Sequence, residues 1–320
     1  MARSAYFNYC LLPTLYWLSS MPRPLAVALL VITTMLWGFA FVAQKSAMDA
    51  MGPLTFSAVR YLLGSLAILP LVFWELRRTG ARLERKDWGI VAVIAISFFL
   101  GVTLQQIGLT VTTVTNGGFL TSLYVLFVPL LALVVFFQKP HPIVWVGVPM
   151  ALVGVYLLNG GRLDGFNIGD LLVVGSAIAW AVQVYLIGTV SKRTGLPVTI
   201  SVICFVTTAV LSGVAAPIFE TPHLEAIGDG WIEIAYAGIL STAVAFTLQA
   251  VAQQYVPPAN AAIILSAEGL FAALGGAVVL GERLPLVGYL GAALIFFAIV
   301  MVELVPALRQ KQDAPPVLKQ

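Results

Sequence analysis

Long apolar runs, cut at intervals by Pro, Gly and clusters of charge, organise this chain. A helix rising about 1.5 Å per residue crosses a hydrocarbon layer roughly 30 Å thick in about 20 residues. Runs near 25–47, 53–74, 88–109, 112–137 and 143–159 reach or approach that length. A second set occupies 168–189, 197–217, 231–253, 258–280 and 286–306, joined to the first by a linker from Gly160 to Asn167. The expected fold is an all-α integral membrane protein of ten transmembrane helices: a tail at 1–24, five-helix units at 25–160 and 168–306, and a tail at 307–320. Uninterrupted runs of this length exclude a β-barrel.

The polar residues that punctuate the runs repeat. Pro53, Thr103-Leu104-Gln105 and Asn116 recur 144 positions later as Pro197, Thr247-Leu248-Gln249 and Asn260. Thr55 and Ser57 match Thr199 and Ser201, Phe127 matches Phe271, and Gly147 matches Gly291. Trp37 pairs with Trp180 at an offset of 143, which places one insertion or deletion in the first span. Apolar residues match by chance in any two membrane segments, so the weight rests on rare residues: two of only five Asn align. Because each copy crosses the bilayer an odd number of times, the second enters upside down. Inverted repeats of this kind are the architecture of transporters, with the substrate site between the copies.

Composition agrees. The 320 residues are 60% hydrophobic and 10% charged, with a mean hydropathy of +0.98, more apolar surface than one soluble core can hide. The net charge of +3 matters only through its distribution. Cytoplasmic loops collect Lys and Arg. With the N-terminus inside, thirteen basic residues fall inside (Arg3, Arg23, Arg77, Arg78, Arg82, Arg85, Lys86, Lys139, Lys192, Arg193, Arg309, Lys311, Lys319) against Lys45, Arg162 and Arg283 outside. The acidic 218–230 loop then lies outside, and both termini are expected in the cytoplasm. Cys10 and Cys204 form neither a disulfide framework nor a metal site. Residues 1–20 lack the pattern of a signal peptide and read as a loose or interfacial tail, with Met21 an alternative start. No phosphate-binding Gly-x-x-x-x-Gly-Lys-Ser/Thr loop and no buried Ser/His pair favour an ATPase or a protease. The chain is therefore not expected to be an enzyme, and no cofactor or metal is implied.

Three ionisable residues, Lys45, Arg60 and Glu268, lie within or at the edge of the hydrocarbon, where each charge costs about 2.5–3.5 kcal/mol unless paired or hydrated. Glu268 is ten residues past Pro258, about 15 Å along its helix and near mid-bilayer. Lys45 either snorkels to the outer interface or meets a substrate. Arg60 and Glu268 either form a buried structural pair or serve a solute. The repeat favours the solute, because Cys204 and Tyr124 stand at their counterparts, so the scaffold itself requires no charge there. Asn260, Ile264, Glu268 and Phe271 share one helical face, as do Asn116, Leu120, Tyr124 and Phe127. These stripes are expected to line a central cavity, joined by Trp37 with Phe41 and Gln44, and by Trp180 with Gln183. Gln105 and Gln249 read as interhelical hydrogen-bond partners. Small residues such as Gly147, Ala151, Gly288 and Gly291 serve packing, and the fifth and tenth spans stand at the periphery.

These residues resemble a known family. Leu36-Trp37-Gly38 through Phe41, Gln44 and Lys45, then Gly52-Pro53 and Arg60-Tyr61, look like the start of an EamA-type domain of the drug/metabolite transporter superfamily. Ser266 to Phe271 and Leu280-Gly281-Glu282-Arg283-Leu284 resemble that domain's closing patterns, with Gly269 where Pro is expected and Gln138-Lys139 where the first copy would carry Gly-Glu-Arg. The resemblance covers residues 25–306. It implies a metabolite transporter, often an exporter of amino acids or related small solutes. The expected mechanism is alternating access, with Arg60 or Lys45 meeting a substrate carboxylate and Glu268 meeting an amine or a proton. A channel-like facilitator and a non-transporting receptor or scaffold are the alternatives. The expected partners are a small-molecule substrate, a coupling proton and the bilayer of an inner membrane. A homodimer is compatible with the sequence, and nucleic acid is not expected.

Overall fold

Helix is the one local structure that lets a single apolar run cross a bilayer with its own backbone N–H and C=O groups paired. The computed structural model describes residues 21–158, 160–161, 167–279, 281 and 286–312. The tail up to residue 20, most of the Gly160 to Asn167 linker, the Glu282-Arg283-Leu284 stretch and residues 313–320 lie outside the described residues. Among the described residues, nine helical stretches of 21 to 27 residues are apolar enough to cross a membrane, and a shorter apolar helix covers Val144–Leu157.

The first repeat comprises α1 (Arg23–Ala47), α2 (Pro53–Thr79), α3 (Arg85–Gly108), α4 (Val114–Thr121), α5 (Tyr124–Val134) and α6 (Val144–Leu158). The second comprises α7 (Ile168–Thr194), α8 (Pro197–Phe219), the short α9 (Leu224–Asp229), an eighth crossing, α12 (Pro258–Leu265), α13 (Glu268–Val279) and α14 (Leu286–Gln312). The eighth crossing runs from α10 (Trp231–Ala235) through a π-helix at Tyr236–Phe246 into α11 (Thr247–Ala252). Helix boundaries obey local chemistry. Pro stands in the first turn of α1, α2, α8 and α12, where its missing N–H is no loss. Asn167 and Asp170 form a capping box on α7. Gly80 and Gly195 close α2 and α7 in the left-handed conformation, the usual glycine helix stop.

The repeats interlock. α2 packs along α8, α3 along α7, and α6 along α14, while α1 packs against the eighth crossing. The end of α3 lies on the start of α7 so closely that a Cβ on Gly108 would sit 2.7 Å from the Gly169 carbonyl oxygen, and one on Gly169 equally close to that of Gly108. That contact is antiparallel, as an inverted repeat requires. Of the nine long spans among the described residues α14 is the least buried, and it pairs with α6.

The expected single helices at 112–137 and 258–280 are each two helices. The chain turns at Ser122-Leu123 and again at Ser266-Ala267, positions 144 apart. The same three short hydrogen-bonded steps occur at both: Leu123 N to Leu120 O, Val125 N to Ser122 O and Leu126 N to Leu123 O in the first, Ala267 N to Ile264 O, Gly269 N to Ser266 O and Leu270 N to Ala267 O in the second. These steps of three residues tighten the helix locally. The turns meet, with the Ser122 hydroxyl donating to the Ser266 carbonyl at 3.2 Å. The inverted pair therefore has its pseudo-two-fold axis close to these serines.

Candidate functional site

Each turn ends at the residue that carries the broken symmetry: Tyr124 opens α5 and Glu268 opens α13. Glu268 is 3% exposed and Tyr124 2%. The Tyr124 hydroxyl lies near enough to Glu268 for the two to interact, yet neither that hydroxyl nor Glu268 Oε1 makes a well-formed hydrogen bond.

Both face a central cavity of about 40 Å³, room for a few waters at most in this closed arrangement. Arg60 enters it from α2, 3% exposed. Its guanidinium carbon lies 4.7 Å from the centre of the Tyr61 ring and 5.1 Å from that of Phe56, a cation–π setting that offsets part of the cost of burial. Its polar contact is a long one to the Tyr61 hydroxyl at 3.3 Å, and Nε is buried without a partner. Among the described residues no ion pair joins Arg60 to Glu268. The cavity thus presents a guanidinium and a carboxyl group that do not neutralise each other.

Trp37, Trp180 and Gln183 line the same cavity. Trp37 donates its indole N–H to the Ser241 carbonyl at 3.1 Å, within the π-helix. Trp180 stacks at 5.6 Å on Phe246, which also contacts Trp37 at 4.5 Å and Phe98 at 4.7 Å. Gln183 makes a reciprocal amide pair with Gln249, at 3.4 and 3.3 Å. Gln105 donates to Thr121 at 2.9 Å, and both reach the cavity wall. Almost none of the surface of Arg60, Glu268, Tyr124, Trp37 or Trp180 is open to water, so a solute enters only when the walls part.

Three residues expected in the cavity stand elsewhere. Lys45 Nζ donates to the carbonyls of Leu109, Thr110 and Thr112 at 2.8, 3.2 and 3.0 Å. It holds the negative end of α3 and does not line the cavity. Asn116 lies in the first turn of α4, where Thr113 caps its backbone N–H, and Asn260 donates to the Val302 carbonyl of α14 at 3.4 Å. Neither is in the cavity wall: each stands in the first turn of its helix, eight residues and about 12 Å along the axis before Tyr124 or Glu268. The cavity also includes Tyr61, Ser241 and Phe246, which the pattern of charge and repeat does not single out. Ser241, a hydroxyl in the middle of an apolar run, is the one signal in the sequence that could have found them.

The model of the EamA-like transporter family matches residues 24–160 and again 167–304. An uncharacterized transporter of Archaeoglobus fulgidus is 34% identical over 281 residues, covering 86% of this chain and 84% of its own. The uncharacterized inner membrane transporter YedA of Escherichia coli (strain K12) is 27% identical, over 84% of this chain and 87% of its own. The S-adenosylmethionine/S-adenosylhomocysteine transporter of Chlamydia muridarum is 29% identical over 49% of this chain and 52% of its own. A crystal structure covering 92% of this chain and 100% of its own superposes with a TM-score of 0.73 at 19% identity, a likeness of fold. The chain belongs to the EamA-like transporter family and is a multi-pass membrane transporter of small molecules, its membrane-crossing segments arranged as two inverted repeats around the cavity that holds Arg60 and Glu268.

Proposed function

We propose that this transporter exports amino acids or related small polar or amphipathic solutes by alternating access, with both termini in the cytoplasm. The observation that carries the reading is the unpaired coexistence of Arg60 and Glu268 in one buried cavity. Two ionisable groups of opposite kind, buried apart where a charge is costly unless paired, are matched by a solute that brings the complementary pair. A carboxylate meets Arg60 as a charge-assisted, two-pronged hydrogen bond. An amine, or a proton in its absence, meets Glu268. Trp37, Trp180 and Phe246 supply an aromatic wall for an apolar body. Lys45, already held by three carbonyls, is not needed for this role. The Chlamydia muridarum relative, a transporter of an amino-acid derivative by name, supports the same solute class.

Reconstitution into proteoliposomes tests the reading. The expected result is saturable counterflow of a radiolabelled amino acid, lost or uncoupled from pH in Glu268→Gln while membrane insertion and monodispersity persist. Flux that rises linearly with concentration and ignores Glu268→Gln identifies a channel-like facilitator instead.

A further inference from the structure

Outside the cavity, two carboxylates do the same thing at opposite ends of the molecule. Helices α2 and α8 each start at a Pro preceded by a residue without a capping side chain, Gly52 and Leu196. Their orphan N–H groups are satisfied from the other repeat. Glu220, just past the end of α8, accepts from Leu54 N at 2.7 Å, Thr55 N at 2.9 Å and Thr55 Oγ1 at 2.6 Å. Glu75, near the end of α2, accepts from Val198 N at 2.9 Å, Thr199 N at 2.8 Å and Thr199 Oγ1 at 2.6 Å. The donors are repeat counterparts, 144 positions apart. A Cβ on Gly52 would lie 2.3 Å from the Glu220 carboxyl carbon, so a larger residue there would displace the clasp. Carboxylates at helix N-termini are favoured by the dipole as well as by the bonds.

The clasped pair stands between two bundles. On one side α3 and α7 are joined by Arg193 to Asp87 at 2.6 Å at one end and by Thr112 to Asp170 at 2.5 Å at the other. On the other side α1 is joined to the eighth crossing by Trp37 to the Ser241 carbonyl and by Thr33 to the Ala245 carbonyl at 3.3 Å. The repeat exchanges these bundles, since α1 corresponds to α7 and α3 to the eighth crossing. α8 packs on the first bundle and α2 on the second.

We propose that Glu75 and Glu220 are positioning residues that clasp α2 and α8 into a fulcrum on which the two bundles rock, and that fix Arg60, carried by α2, within the cavity. The proposal rests on the alternating-access reading. A contact belonging to a gate closes on one face of the membrane while its counterpart opens on the other. The clasps instead join α2 and α8 to each other at both ends of one antiparallel pair, and neither clasp bridges the two bundles that part, so the pair moves as one body while the bundles open.

Hydrogen–deuterium exchange of the full chain in lipid nanodiscs tests this without a substrate. The amides of Leu54, Thr55, Val198 and Thr199 are expected to exchange at least roughly a hundredfold more slowly than unstructured chain. Glu220→Gln accelerates only the first two, and Glu75→Gln only the last two. Fast exchange at either clasp of the wild-type chain overturns the proposal. A second measurement uses Ala58→Cys with Gly213→Cys, where a Cβ at 213 lies 3.8 Å from that of Ala58, a separation suited to a disulfide. Oxidised protein is expected to keep the saturable counterflow of the reduced form, and to restore it in Glu220→Gln. Counterflow blocked by oxidation and recovered on reduction overturns the fulcrum while leaving alternating access standing. Wild-type flux that never saturates rejects alternating access and with it any fulcrum, whatever the exchange data show.

Discussion

Removing the two clasps one at a time is expected to have unequal effects on stability. Glu75 and Glu220 make the same three hydrogen bonds, so bond counting alone predicts equal losses. Their surroundings differ. Glu75 is 5% exposed and Val198 beside it 4%, so Glu75→Ala leaves two backbone N–H groups with little access to water. Each buried orphan donor costs about 1–3 kcal/mol, and the Thr199 hydroxyl can rotate to another acceptor, giving roughly 2–6 kcal/mol for the pair of amides. Glu220 is half-buried and borders an open hollow of about 400 Å³, shared with His223 and Asp49. Water replaces its oxygens there, and Glu220→Ala is expected to lose about 1–2 kcal/mol, the range of an ordinary helix cap. Thermal unfolding in detergent, tracked by the surviving monodisperse fraction, ranks the two variants directly. The Gln variants, which keep one acceptor oxygen, should fall between each Ala variant and the wild type. Equal midpoints, or a lower midpoint for Glu220→Ala, would refute the claim that water access separates the two caps.

Arg60→Ala should raise the concentration of a carboxylate-bearing solute needed for half-maximal counterflow by roughly 10–150-fold, the equivalent of one charged hydrogen-bonding contact, with little change for a solute lacking the carboxylate. An equal effect on both solutes would assign Arg60 to structure. Lys45→Met is expected to lower the unfolding midpoint through the three carbonyls it releases while keeping transport; loss of transport at unchanged stability would return Lys45 to the site. Gly38→Leu places a side chain inside Phe271 and the start of Ala272, so no monodisperse protein is expected, and a folded, active variant would show that α1 and α13 can separate.

The repeat and the spans are legible in the sequence because they depend on runs of residues, and a run tolerates errors at its ends. Those ends hide the clasp: the apolar run near 53–74 stops one residue short of Glu75, while the helix continues to Thr79. The matching Pro53-x-Thr55 and Pro197-x-Thr199 are visible as repeats. Their need for a carboxylate is not, because the partner lies 123 to 166 positions away. Arg60, Tyr124 and Glu268 can be singled out because charge and asymmetry stand out in an apolar, duplicated background. Asn116 and Asn260 join them only on the premise that one helical face is one cavity wall. Each Asn stands eight residues before Tyr124 or Glu268, about 12 Å away along the axis, and Asn260 bonds to α14 instead. Serine in an apolar helix is too common to announce the turns at Ser122-Leu123 and Ser266-Ala267, although its hydroxyl bonding back to Gly118 and to Ile263 is part of them. Lys45 illustrates a different limit: a lysine's reach of several ångströms lets it serve any acceptor within that radius, and only packing decides which.

The meeting of Ser122 with Ser266 also says something about the history such a molecule permits. In a symmetric assembly of two identical five-helix units, residues near the axis face their own copies. The position now held by Tyr124 and Glu268 would then present either two phenols or two carboxyl groups, and two carboxylates in hydrocarbon repel one another. Joining the halves in one chain removes that constraint, because a mutation then changes one side alone. A lone acidic group beside a neutral ring, with one guanidinium where the other half has a thiol, is open to a fused chain and closed to a homodimer. Covalent linkage thus gives the cavity a polarity of its own.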